Sequence, residues 1–214
     1  TYGLTEAGAN VLSPRWGVKK LGSCGLPVTD VEIKIMDKET GSRHCEVNEI
    51  GELWSRSPAN MIGYYKQPDV TAEKVTEDGY IKTGDLVSSD EQGYIYFRGR
   101  KDDMINCGGE NVYPKEVETV ILEHPSVSDV CVVSTTHQVK GEAPVAWVVL
   151  KSGTQLSERE LKGFFFDNGP AYAHPRKVFF TEELPVNGAN KIDRLLLTEM
   201  TKDNIPQGLV GGRD

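Results

Sequence analysis

The 214-residue chain predicts a mixed α/β fold in which a β-rich part leads and a smaller α/β part follows. Three observations carry that reading. Up to about residue 98, short strand-like runs are broken repeatedly by Gly, Pro and Asp. After residue 103, runs with helical spacing alternate with continuous apolar ones, the signature of helices packed on a sheet. Between them, "RGRKDDMINCGGENVYP" (98–114) is dense first in charge and then in glycine, the composition of a junction that bends.

Element by element, "VEIKIMD" (31–37) alternates Val31, Ile33 and Ile35 with polar partners, as a strand with one buried face does. "GELWSRS" and "GYIYFRG" are further short strands, set off by turn signals such as "DKETGS" and "DEQG". Beyond the junction, "YPKEVETVILEHP" places Pro114 to open a helix whose Val117, Val120 and Ile121 share a face, and it ends before Pro125. "VSDVCVVST" and "APVAWVVLK" read as buried strands, "LSERELKGFFFDN" as a second helix capped by Ser157, and "RKVFFTEEL" as a third strand. A Leu-rich helix starts after "PVNGANKIDR" (185–194). There is no internal repeat and no low-complexity tract.

Composition narrows the partners. With 24 basic against 32 acidic residues, a net charge of −8 and no basic cluster, neither nucleic acid nor an anionic membrane is expected to bind. The longest apolar run, "VAWVVL" (145–150), falls far short of the roughly 20 residues of a membrane span. Cys24, Cys45, Cys107 and Cys131 form no CxxC pair, so reduced thiols in a cytoplasmic protein are expected. His44 beside Cys45 supplies only two ligands, too few for a metal site. His124, His137 and His174 read as surface or turn residues. The chain opens on "TYGLTEAG", with neither initiator Met nor signal peptide, so it is expected to be the latter part of something longer.

Lys191, inside the polar stretch "PVNGANKIDR", would by itself be a solvated side chain at a helix entrance. Five separated blocks change its weight. "TYGLTE" (1–6), "GYYKQPDVT" (63–71), "DGYIKTGDL" (78–86), "FRGRKDDMINCGGENVYPKEVE" (97–118) and "PVNGANKIDR" resemble, in the same order, the conserved blocks of the adenylate-forming enzymes. That superfamily takes in acyl-CoA synthetases, peptide-synthetase adenylation domains and beetle luciferase. The resemblance runs over nearly the whole chain and implies the C-terminal fragment of that fold. It implies the end of the large N-terminal domain with its β-rich subdomain over 1–99, a hinge over 100–103, and a small mobile α/β domain over 104–214.

The resemblance also implies a chemistry. A carboxylate attacks the α-phosphate of ATP to give an acyl-adenylate, and a thiol then displaces AMP. Tyr2 matches the residue that stacks on adenine, Asp85 and Arg100 the ribose ligands, Thr5 a phosphate-contacting hydroxyl, and Glu6 the acid associated with Mg2+. Lys191 matches the lysine that bridges the carboxylate and the α-phosphate, supplying positive charge where negative charge gathers. Asp102 matches the pivot about which the small domain turns between half-reactions. Gly108 and Gly109 match the loop lining the tunnel of the thiol's pantetheine arm. Arg194, in the closing block, reads as structural.

Because "GGENVYPKEVE" is similar to free-standing acyl-CoA synthetases, coenzyme A is the expected thiol and a fatty or aryl carboxylic acid the expected small-molecule substrate. An adenylation domain loading a carrier protein, or a non-catalytic fragment, are the alternatives; a second copy of the chain is a candidate partner in a homodimer. Three departures stand out. Asn190 takes a position the family usually gives to Gly, though Asn tolerates left-handed backbone. Tyr80 stands where many relatives have Trp. The family's phosphate loop and most of its acyl pocket have no counterpart in the chain.

Overall fold

The computed structural model describes residues 1–18 and 20–209. It separates the chain into two units, Thr1–Asp102 and Asp103–Asp214.

The first unit opens with a 3-10 turn, Thr5–Ala7, and a two-stranded ribbon pairing β1 (Leu12–Ser13) with β2 (Leu26–Pro27). Its body is an antiparallel meander of β3 (Glu32–Met36), β4 (Gly51–Arg56), β5 (Ile81–Ser89) and β6 (Ile95–Arg100), hydrogen-bonded in that order. Leu53, Ile81, Val87 and Ile95 turn to one face and close a core with Ala7, Val11 and Leu12. Fully burying such a side chain is worth about 1.5–3 kcal/mol. On β3 the alternation is weaker than the sequence suggests: Ile33 and Ile35 are half-buried and Met36 is the buried residue. A short helix, α1 (Pro68–Lys74), starts from Pro68 inside the block that reads "GYYKQPDVT" and runs three residues past its end.

One irregularity in this sheet matters for the site. Glu52 of β4 pairs with Leu86 of β5, and Trp54 pairs with Lys82. Thr83, Gly84 and Asp85 therefore face Leu53 alone, and β5 bulges out between two well-registered stretches.

In the second unit, β7 (Ile105–Cys107) and β8 (Glu110–Val112) form a hairpin inside the stretch read from sequence as a junction. Its two-residue turn is Gly108–Gly109, with φ of 68° and 91°, the doubly left-handed geometry that tight hairpins favour. Helix α2 (Pro114–Leu122) follows, then the long hairpin of β9 (Val127–His137) and β10 (Gly141–Leu150), helix α3 (Glu158–Asn168), β11 (Lys177–Thr181) and helix α4 (Arg194–Asn204). Ser157 caps α3 with a reciprocal capping box to Glu160, as its sequence position predicts. β11 runs parallel to β10, which requires the crossover that α3 supplies.

Both faces of this sheet are covered. Val130, Val132, Ala146 and Val148 pack with Val117, Ile121, Leu161 and Phe165 from α2 and α3, while Cys131, Val133 and Trp147 pack with Leu197 from α4. Double coverage explains why β9 and β10 are apolar at consecutive positions rather than alternating. The expectation for two histidines needs correction. His137 and His174 are buried: His137 does sit at a turn, where Nδ1 accepts the Val139 and Lys140 amides, but His174 is packed inside, its ring 4.4 Å from that of Phe166. All four cysteines are free thiols, and among the described residues no helix is long and apolar enough to cross a membrane.

Candidate functional site

The bulge on β5 turns the Asp85 carboxylate toward two donors. Tyr2 Oη donates to Oδ2 at 2.5 Å, and Arg100 Nη1 donates to Oδ1 at 2.9 Å. Asp85 and Arg100 are also direct register partners across β5 and β6, so their side chains leave adjacent strands at the same level. Tyr2 reaches Asp85 because its backbone is paired both ways with Leu12 and Val11. Burial first, and then the neighbouring Asp85 charge, push the Tyr2 phenol well above its ordinary pKa. It therefore remains a donor at any working pH. Asp85 is itself buried, but each carboxylate oxygen carries a second lone pair and can accept a further hydroxyl.

Next to this pair, Thr5 and Glu6 lie in the 3-10 turn. Glu6 Oε1 accepts the Tyr64 hydroxyl at 2.8 Å, and its backbone carbonyl accepts the Met61 amide at 2.7 Å. A cavity of about 230 Å³ is lined by Leu4, Glu6, Tyr64, Lys74, Thr83 and Arg100, among others. One acid, Glu6, and three cations, Lys74, Lys82 and Arg100, thus line a small volume in the first unit. Among the described residues, no group of three or more His, Cys, Asp or Glu is arranged to hold a metal. Glu6 with one oxygen uncommitted fits the way Mg2+ is usually taken, through one or two carboxylates with the remaining ligands from substrate phosphates and water.

Asp102 lies close to the Arg100 guanidinium, Nη2 to Oδ2 3.8 Å, and is the last residue of the first unit. The structure thus gathers Tyr2, Asp85, Arg100 and Asp102 in one chain of contacts, with Glu6 lining the cavity that Arg100 also lines and Thr5 preceding it in the same 3-10 turn.

The remaining sequence candidates belong to the second unit. Gly108 and Gly109 are the tip of the β7–β8 hairpin; Gly108 donates to the Lys140 carbonyl and Gly109 to Asn106 Oδ1. Their backbone conformation already accounts for glycine at both positions. Lys191 is exposed on a small turn closed by the Val186–Ile192 bridge and by Asn187, whose amide donates to the Lys191 carbonyl and whose Oδ1 accepts the Lys191 amide. Asn190 adopts φ 56° there, the left-handed backbone its side chain tolerates. Among the described residues, no anionic group pairs with the Lys191 ammonium. Arg194 anchors the turn from below: Nη1 donates to the Val132 carbonyl at 2.6 Å and Nη2 to the buried Glu118 at 2.5 Å. That is a structural role, as its sequence position suggests.

Sequence reasoning missed Tyr64, Lys74, Thr83 and Glu52 as parts of the site. Tyr64 and Thr83 sit inside the quoted blocks, so the blocks themselves were the available signal; Lys74 lies between two of them. Glu52 falls in an ordinary strand pattern, and only the bulge gives it a task.

Comparison with known proteins agrees with this architecture. The model of the AMP-binding enzyme family matches residues 1–65, and that of the AMP-binding enzyme C-terminal domain matches 116–191. The chain belongs to this AMP-binding, adenylate-forming family. Among curated relatives it is 39% identical over 206 residues to 4-coumarate–CoA ligase-like 2 of Arabidopsis thaliana, covering 95% of this chain and 36% of that protein. ATP-bound MatB from Rhodopseudomonas palustris superposes with a TM-score of 0.89 at 32% identity, over 95% of this chain and 40% of that one. O-succinylbenzoate coenzyme A synthetase (MenE) from Bacillus subtilis, in complex with AMP, gives 0.80 at 36% identity, over 92% and 40%. The chain thus spans between a third and a half of the length of the relatives it matches.

Proposed function

We propose that this chain is the C-terminal portion of an acid:CoA ligase, activating a fatty or aryl carboxylate as its adenylate and passing the acyl group to coenzyme A. The observation that carries the reading is the Asp85 carboxylate, buried on a strand bulge and pinned between the Tyr2 hydroxyl and the Arg100 guanidinium. A carboxylate held so rigidly, with lone pairs to spare, is suited to accept both hydroxyls of a ribose. Arg100 adds charge and a second donor set on the same side, and the ring of Tyr2 offers the flat face that adenine needs.

Around the phosphates the demand is for positive charge, because a carboxylate cannot approach a polyanion unaided. Mg2+, taken by Glu6 together with the substrate's phosphates, would neutralise part of that charge. The Thr5 hydroxyl would donate to a phosphate oxygen. Lys191, solvent-facing and without an anionic partner among the described residues, would contribute its ammonium as the carboxylate attacks the α-phosphate. Such a donor is worth most when it meets charge only in the transition state. For the second half-reaction, rotation about Asp102 would withdraw Lys191 and bring the Gly108–Gly109 turn alongside the arm of coenzyme A, where the absence of a side chain leaves room.

The full-length protein carrying this chain tests the reading. ATP–pyrophosphate exchange across a panel of fatty and aryl acids should be stimulated by one class, and the same acid should then yield a thioester with free coenzyme A. Thioester formation only on a phosphopantetheinyl carrier protein would replace coenzyme A in this account, and absence of exchange with every acid would end it.

A further inference from the structure

We propose that Glu52 is a positioning residue of the nucleotide site, holding the β5 bulge in shape and clamping the segment next to Asp102 against it. The proposal rests on the reading of Asp85 as the ribose ligand.

The bulge creates a donor with no partner in the ladder. On the β4 side, the residue opposite Thr83–Asp85 is Leu53, and its carbonyl is taken by the Thr83 hydroxyl at 2.7 Å. The Gly84 amide is thereby left over, inside a buried strand, where an unsatisfied N–H would cost about 1–3 kcal/mol. Glu52 supplies the missing acceptor: its Oε1 receives the Gly84 N–H at 3.1 Å. Its other oxygen receives the Lys101 ammonium at 3.4 Å. The Lys101 amide, in turn, donates to the Gly84 carbonyl at 2.8 Å.

Glu52, Gly84 and Lys101 therefore form a closed ring of three hydrogen bonds. Each covalent neighbour of that ring on the far strands is a site residue: Asp85 follows Gly84, and Arg100 and Asp102 flank Lys101. Glu52 is buried, and a buried carboxylate is costly unless donors surround it; this one has two, both drawn from segments that carry the site. Gly84 sits at φ 74°, where an L side chain is strained, and an added Cβ would stand 3.3 Å from the Arg100 guanidinium, which would have to give way. The two oxygens of Glu52 thus have separable tasks. One fixes the bulge that aims Asp85, and the other ties the approach to Asp102 to that bulge. Backbone rotation about Asp102 then starts from a fixed base, because Lys101, the residue before it, stays tied to Glu52 and to the Gly84 carbonyl.

The test uses the full-length protein and three variants, Glu52→Ala, Glu52→Gln and Lys101→Met, with two kinds of readout. In Glu52→Ala, amide hydrogen exchange across 81–89 should accelerate about tenfold and the AMP dissociation constant should rise about tenfold, the size of one lost acceptor. Glu52→Gln keeps an acceptor for Gly84, so exchange there should stay within about twofold of wild type. Like Lys101→Met, it should alter the ratio of adenylation to thioester rates, and the double variant should add nothing to either single change. Unaltered exchange and AMP binding in Glu52→Ala would overturn the proposal, as would additive effects of the Gln and Met changes. Should wild type bind no AMP, the nucleotide reading fails, while the exchange data still decide whether Glu52 holds the bulge. If Glu52→Ala does not fold, the double variant decides alone.

Discussion

Tyr2 and Asp85, 83 positions apart in the chain, meet through a 2.5 Å hydrogen bond in which the phenol is the donor. The start of the chain and the β5 bulge are therefore one site, although neither contains the other's signal.

Removing that donor while keeping the ring separates orientation from stacking. Tyr2→Phe should weaken AMP binding about tenfold, since a net hydrogen bond to a charged group is worth on the order of 1.5 kcal/mol. Calorimetric titration checks this. Wild-type affinity in the variant would mean that Arg100 alone orients Asp85.

Lys191→Ala should lower ATP–pyrophosphate exchange at least about a hundredfold, the usual size of a lost transition-state donor. Thioester formation from a supplied acyl-adenylate should change only a few-fold. Because Lys191 is exposed, thermal stability should be untouched, and equal losses in both half-reactions would refute its assignment.

Arg194 makes the opposite prediction. Its guanidinium pairs with buried Glu118 at 2.5 Å, while the Lys115 ammonium stands off at 3.8 Å, so Arg194→Ala removes the close partner of a buried charge inside the second unit and should cost roughly 3 kcal/mol of its stability. Chemical denaturation followed through Trp147 reads it. Adding Glu118→Met should restore much of the loss, and if it does not, the carboxylate is not what the arginine serves.

His174 gives the second unit a pH dependence. Burial, reinforced by the nearby Arg176, Lys162 and Lys140 charges, drives its pKa from 6.5 down to about 4. The unfolded state thus binds the proton more readily than the folded one. The ring contributes fully above about pH 6.5, and its contribution is lost as the pH falls toward 4. Melting temperatures measured across that window should decline in wild type, and the decline should be shallower in His174→Gln. Parallel profiles would place the acid sensitivity elsewhere.

Much of the fold was legible because local rules agreed with the packing. Pro114 opens α2, Ser157 caps α3, and the unbroken apolar text of β9 and β10 reflects a sheet covered on both faces. What escaped depends on non-local partners. The strands β7 and β8 are three residues each, too short to show a period, and their two-glycine turn resembles a flexible joint as much as a hairpin tip. His174 looks like a surface residue because nothing in "YAHPRK" announces that Phe166 and Arg176 will enclose it. The block residues Asp85, Arg100 and Tyr2 were legible as a set through resemblance, but their mutual hydrogen bonds were not. Those arise from a slip in strand register between Glu52 and Trp54 that no single strand encodes.

The hairpin tip at Gly109 has a stereochemical consequence. With φ of 91° and open space where a Cβ would stand, this position excludes L-residues by handedness rather than by bulk. A D-alanine placed there by semisynthesis should leave the hairpin relaxed while adding a methyl group. It would thereby report on whatever passes the tip without the backbone distortion that any ordinary L substitution brings with it.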